Sequence, residues 1–177
     1  MNKILCILAG IILLPAFSSQ QASCEQTSSR YVTLQYTGKE ELRTFADNIE
    51  LPASLSQQMR KNTVTTEEEV LAKTDIIVEK AETVLDMFPA NLHFTLILLP
   101  SAKDISKVFF QKYSKNVDYL SFYSLSEKTI YISVKDANLH VLAHEIGHAI
   151  VDHFFNVRPP YNIHELMAQF TEKHITD

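Results

Sequence analysis

The stretch 139–155, LHVLAHEIGHAIVDHFF, constrains this chain more than any other. Leu139, Val141, Leu142, Ala143, Ile146, Ala149, Ile150, Val151 and Phe154 make it apolar nearly all the way round, the pattern of a helix inside a core. Within it lie His144, Glu145 and His148. Residues four apart share one helix face, so the two imidazoles stand one turn apart, close enough to hold a single metal ion. Glu145 falls at the rim of that face, where its carboxylate can reach a water on the metal. Polar groups buried in a core are costly unless something satisfies them, and a metal satisfies these.

The rest of the composition bounds the answer loosely. A chain of 177 residues is one domain plus an N-terminal extra, and 46% hydrophobic residues are enough for a sizeable core. A net charge of −5 and a pI near 5.8 offer no basic field for nucleic acid. With three glycines in all and no repeats, no phosphate-cradling loop is available.

The extra is explained at the N-terminus. Lys3 is followed by ILCILAGIILLPAF, an uncharged run of signal-peptide length, short of the roughly 20 apolar residues that a spanning helix needs. Ala16-Phe17-Ser18 is the better cleavage site and Gln20-Gln21-Ala22 the weaker. The expectation is a signal peptide over 1–23, a single domain over 24–177, and a secreted or periplasmic product. Membrane attachment enters only if the N-terminus is retained or Cys24 is lipidated, and Gln21 is a poor start to a lipobox. Cys6 leaves with the signal, so the mature chain has no internal disulfide.

Between these ends the pattern alternates. A strand is expected over 31–36, a short helix over 40–49 and a surface connection over 51–61. Thr66 to Glu69 reads as a capping box opening a helix that Pro89 stops. A buried strand over 92–99 and a helix from Ser101 to about Tyr113 follow. Strands over 119–125 and 129–134 make a hairpin before the histidine helix, and a last helix starts near Asn162.

His144-Glu145-Ile146-Gly147-His148 is the H-E-x-x-H motif. Together with a glutamate on the following helix, it resembles the catalytic core of a small secreted zincin metallopeptidase of the gluzincin type. The recognisable part spans about 129–172. The resemblance implies an α+β, zincin-like fold: a small mixed sheet, an active-site helix and a C-terminal helix carrying the third ligand. It also implies a Zn2+ cofactor and hydrolysis of a peptide or protein substrate, by an endopeptidase rather than an exopeptidase.

The third ligand is open among a few residues. A metzincin would need glycine at 151 and histidine at 154, where this chain has Val151 and Phe154. His140 is about 12 Å from His148 along a straight helix, too far to share the metal, and reads as a flank residue. Glu165 is the expected ligand, with Glu172 the alternative and a structural capping box from Asn162 to Glu165 the competing use. Gln169 stands where thermolysin-like members carry an aspartate that orients a histidine. His93, His153, His164 and His174 read as surface or satisfied residues.

Three protein ligands leave a fourth position for a water that zinc acidifies, and Glu145 is the expected general base. Tyr161, and less so Tyr123, are candidate oxyanion donors. The resemblance further implies that 129–134, directly before the metal helix, is an edge strand that pairs with an extended substrate, with Tyr131 and Ile132 binding it. Apolar walls near Tyr131, Val141 and Leu142 favour a hydrophobic residue beside the cut bond. Two other readings fit the same residues: a zinc-retaining, catalytically silent binding module or lipoprotein, and a metal-free domain.

Overall fold

A computed structural model describes residues 24–59 and 63–177. The expected signal peptide, 1–23, lies outside the described residues. What is described is a mixed α+β fold of five strands and six helices.

β1 (Glu25–Ser28) and β2 (Val32–Tyr36) pair antiparallel, and β3 (Phe94–Leu99) lies parallel to β2. β5 (Thr129–Ser133) is parallel to β3, and β4 (Ser121–Ser124) closes the sheet antiparallel to β5, giving the order β1-β2-β3-β5-β4. α1 (Lys39–Asn48), the one-turn α2 (Ala53–Ser56) and α3 (Thr66–Leu85) intervene between β2 and β3. α4 (Ala102–Tyr113) links β3 to the hairpin, and α5 (Leu139–Phe154) and α6 (Tyr161–His174) complete the chain.

The sheet is covered on both faces, which its strand alternation dictates. Phe94, Leu96, Leu98, Ile130 and Ile132 point into the main core with residues of α1, α3 and α5. Ile97, Leu99 and Tyr131 point the other way, into a smaller cluster with Ile105, Val108 and Phe109 of α4. None of the helices among the described residues is long and apolar enough to cross a membrane.

Two helix ends differ from the sequence reading. The capping box of α3 is formed by Thr65 and Glu68, one residue earlier than expected. The run TTEEE contains both registers. The same helix stops at Asp86, in the left-handed region at φ 52°, before Pro89 is reached. β1 has no counterpart in the sequence reading, because EQTS is polar and almost wholly exposed, with no alternation to betray it.

The largest correction concerns β5. It is an interior strand, hydrogen-bonded to β3 on one side and β4 on the other, and all five of its residues are buried. Tyr131 stacks on Phe122 with centroids 4.8 Å apart beneath α4, and Ile132 is fully buried in the main core. Neither residue is placed to bind substrate. The strand is apolar on both faces, as an inner strand must be, and the hairpin carries β4 to the outside. β4, not β5, is the edge beside α5.

Candidate metal centre

α5 starts with a well-made cap. The Asn138 side chain accepts from the backbone N–H groups of His140 and Val141 at 3.0 and 3.1 Å. The helix then buries Leu142, Ala143, Ile146, Ala149 and Ile150, which leaves His144 and His148 on the side facing α6. Their rings lie 4.8 Å apart at 81°.

α6 comes close because of Gly147. A Cβ there would meet Thr171 Oγ1 at 2.9 Å and the Ala168 Cα at 3.0 Å, so the two backbones nearly touch. The small Ala168 lets the helices approach, as its place in the sequence suggests. This packing brings Glu165 to the histidines: Oε1 is 3.5 Å from His144 Nε2, and Oε2 is 3.5 Å from His148 Nε2. One ligand atom from each of the three lies within 4.8 Å of the others. Ligands on a tetrahedral ion with bonds of about 2.1 Å stand about 3.4 Å apart, so these side chains fit a divalent metal with little movement. His144, His148 and Glu165 thus form a possible metal site.

The outer nitrogens of both imidazoles are also engaged. His144 Nδ1 lies 2.9 Å from Glu172 Oε2, so Glu172 could orient the imidazole from outside the triad. Gln169 does not take that part: its amide donates to Glu165 Oε1 at 3.1 Å. Asn162 plays no capping role for Glu165, because α6 begins at Tyr161 with Pro160 as its cap residue. His148 Nδ1 lies 2.7 Å from Nδ1 of His164, with the ring centroids 4.9 Å apart and 21° between the ring planes. Burial first, then the neighbouring His144 and His164, push the His148 imidazole down to about 3, so it is neutral, the ligating form.

His164 is the residue beside the candidate centre that sequence reasoning did not single out. It is buried, 5% exposed, where the sequence suggests a surface or satisfied residue. The signal was its spacing: His164, Ala168, Thr171 and Ile175 recur every three or four residues and form the buried stripe of the last helix.

Glu145 faces the other way, toward β4. It is 5% exposed, and the Ser121 hydroxyl donates to its Oε1 at 2.6 Å. Its Oε2 is buried without a partner. Burial pushes the carboxyl up to about 7, aided by the charge of Glu165 and opposed by Ser121 and His144.

The remaining expected residues fall around this centre. Tyr161 is exposed at the start of α6, and its phenol is pushed up by the charge of Glu165 first and then by burial, with Tyr119 and Glu145 also acting on it. Tyr123 is buried, and its hydroxyl donates to Asp152 Oδ2 at 3.1 Å. His140 is an exposed flank residue whose Nδ1 lies 2.9 Å from the Glu172 carbonyl oxygen. His93 and His153 are satisfied against Thr33 and Ala149 respectively, and His174 against Asp177.

Compared with family models, curated proteins and solved structures, the chain matches none.

Proposed function

We propose that this chain is an exported, zinc-dependent peptidase with a zincin-like fold. The observation that carries the reading is Glu145: a buried carboxylate with one oxygen held and the other unpartnered, beside three side chains that fit a metal. An orphaned buried carboxylate oxygen is expensive in a purely structural role, and it is what a general base for a confined water requires. The order of elements and the antiparallel edge strand β4 beside α5 support the zincin-like reading.

His144, His148 and Glu165 hold the metal, with Glu172 orienting His144. Bound there, zinc would supply an acidified water and a Lewis acid for a carbonyl oxygen. Glu145 Oε2 accepts a proton from water and returns it to the leaving amine, while Ser121 keeps Oε1 and the carboxylate plane in place. The outer edge of β4 receives an extended peptide by strand addition, which the sequence reading assigned to 129–134. Tyr161, at the mouth of the centre, donates to the oxyanion of the cut bond.

The test is metal analysis of the purified chain together with a peptide library. Wild type should contain one zinc and cleave, and Glu145→Gln should keep the zinc and lose turnover, since an amide takes no proton from water. Zinc without turnover in the wild type would make this a binding module. A metal-free wild type that takes up no added zinc would reject the reading altogether.

A further inference from the structure

We infer that His164 is a positioning residue for the metal centre, accepting a hydrogen bond at Nδ1 and thereby fixing the tautomer of His148 that can ligate. The inference rests on the metal reading above and concerns how one ligand of that site is prepared.

His148 Nδ1 and His164 Nδ1 are 2.7 Å apart, and a hydrogen bond between two neutral rings contains one proton. If His164 donates it, His148 carries its own proton on Nε2, and the lone pair that faces Glu165 is lost. If His148 donates it, Nε2 is free, 3.5 Å from Glu165 Oε2, and ready to ligate. Ligation through Nε2 therefore requires His164 to accept, and its own proton must sit on Nε2. That atom is buried and has no partner among the described residues, so the arrangement carries a cost that needs an explanation. Holding His148 in the ligating tautomer provides one.

The two histidine ligands are prepared differently. His144 Nδ1 faces the Glu172 carboxylate, which only accepts when ionised, so its tautomer is committed. His148 faces a group that can accept or donate. Arrival of the metal and the choice of tautomer in the His148–His164 pair are therefore one event. α6 supplies all three devices, Glu165 as ligand, Glu172 behind His144 and His164 behind His148. An imidazole behind a ligand adds no negative charge, unlike the carboxylate behind His144.

Asparagine can place Oδ1 near the position of Nδ1 and so accept from His148, whereas leucine fills the space without an acceptor. Zn2+ affinity of the full chain would be measured by competition with a chromogenic chelator for wild type, His164→Asn and His164→Leu, with metal-free melting curves as a control for folding. Long-range proton–nitrogen NMR of the zinc-loaded wild type would report which ring nitrogens carry protons. The expected result is affinity within a few-fold of wild type for His164→Asn and about 10–100-fold weaker for His164→Leu. His148 should be protonated at Nδ1 and His164 at Nε2. The inference is overturned if His164→Leu binds zinc within twofold of wild type, if His164→Asn binds it more than tenfold more weakly than wild type, or if the zinc-loaded protein carries the shared proton on His164. Should His164→Leu not fold, the asparagine variant and the NMR assignment still decide. A wild type that binds no zinc defeats the metal reading itself, which is a different result from any of these.

Discussion

The Ser121 hydroxyl donates to Glu145 Oε1 at 2.6 Å, and this bond ties the edge strand β4 to α5, the helix of the candidate metal centre. It occupies one carboxylate oxygen and leaves the other unpartnered in a buried setting. A base whose reacting oxygen is fixed to within a fraction of an ångström gains rate, and a misplacement of about 1 Å costs up to about 100-fold. Ser121→Ala should therefore lower kcat about 10–100-fold while zinc content stays at the wild-type level. Zinc content and kcat measured on one preparation check this, and unchanged kcat would mean that packing alone holds Glu145.

Glu165 and Glu172 lie on the same helix seven residues apart, yet the structure gives them different partners. Glu165 faces the inner nitrogens of both histidines, and Glu172 faces the outer nitrogen of His144. Loss of a group behind a ligand typically weakens binding by about 10–100-fold, and loss of a ligand should cost more. Zinc titrations of Glu165→Ala and Glu172→Ala should rank in that order. The reverse ranking would make Glu172 the ligand.

α5 and the order of the longer elements were legible in the sequence, though β1 and the one-turn α2 were not, because H-E-x-x-H spacing and an apolar surround are both local signals. Strand order was not. That β5 is interior depends on the long-range parallel pairing of Thr95–Leu99 with Thr129–Ser133, which chain order alone does not reveal. Two clues lie in the residues themselves: Ile130 and Ile132 mark one face as buried, and Tyr131 marks the other. The contacts that Ser121 and His164 make with α5 could not be read, since they span 24 and 16 residues of sequence, although the spacing along the last helix does signal that His164 is buried. Glu165, by contrast, could be singled out because the motif calls for a third ligand and the last helix offers few candidates, and the fold brings it to the two histidines.

Gly147 sits where α5 and α6 nearly touch, and its substitution sets two effects against each other. Alanine is favoured over glycine inside a helix by about 1 kcal/mol. A Cβ at this position would press on Thr171 Oγ1 at 2.9 Å and on backbone at 3.0 Å, and overpacking of this kind costs about 1–3 kcal/mol. The clash should win because a neighbouring Cα cannot turn aside as a side chain can. Gly147→Ala is expected to lose about 1 kcal/mol, or about 2–4 °C in Tm for a chain of this size. By moving α6 outward it should also weaken zinc binding. A rise in Tm with unchanged affinity would mean that the helices have room to spare.

Asp75 is a half-buried carboxylate outside the candidate metal centre. It lies on α3, accepts from the Ser29 hydroxyl at 2.6 Å, and has its pKa raised by burial first, with Glu79 adding to the effect and the Ser29 bond and Arg30 opposing it. A carboxyl whose folded pKa exceeds its unfolded value contributes stability that is fully present below the unfolded pKa, about 3.9, and is lost as pH rises through the folded one. At pH 7 the ionised group is therefore a net cost to folding. The substitution Asp75→Asn keeps an oxygen for Ser29 and leaves no charge to desolvate. The variant should melt higher than wild type at pH 7, and the gain should shrink as pH falls and vanish below about pH 4. Thermal melts of both proteins across that range would check it. An advantage that is constant with pH would assign the effect to packing, and a variant that is less stable at pH 7 would show that the bonds from Ser29 and the Tyr31 backbone outweigh the desolvation.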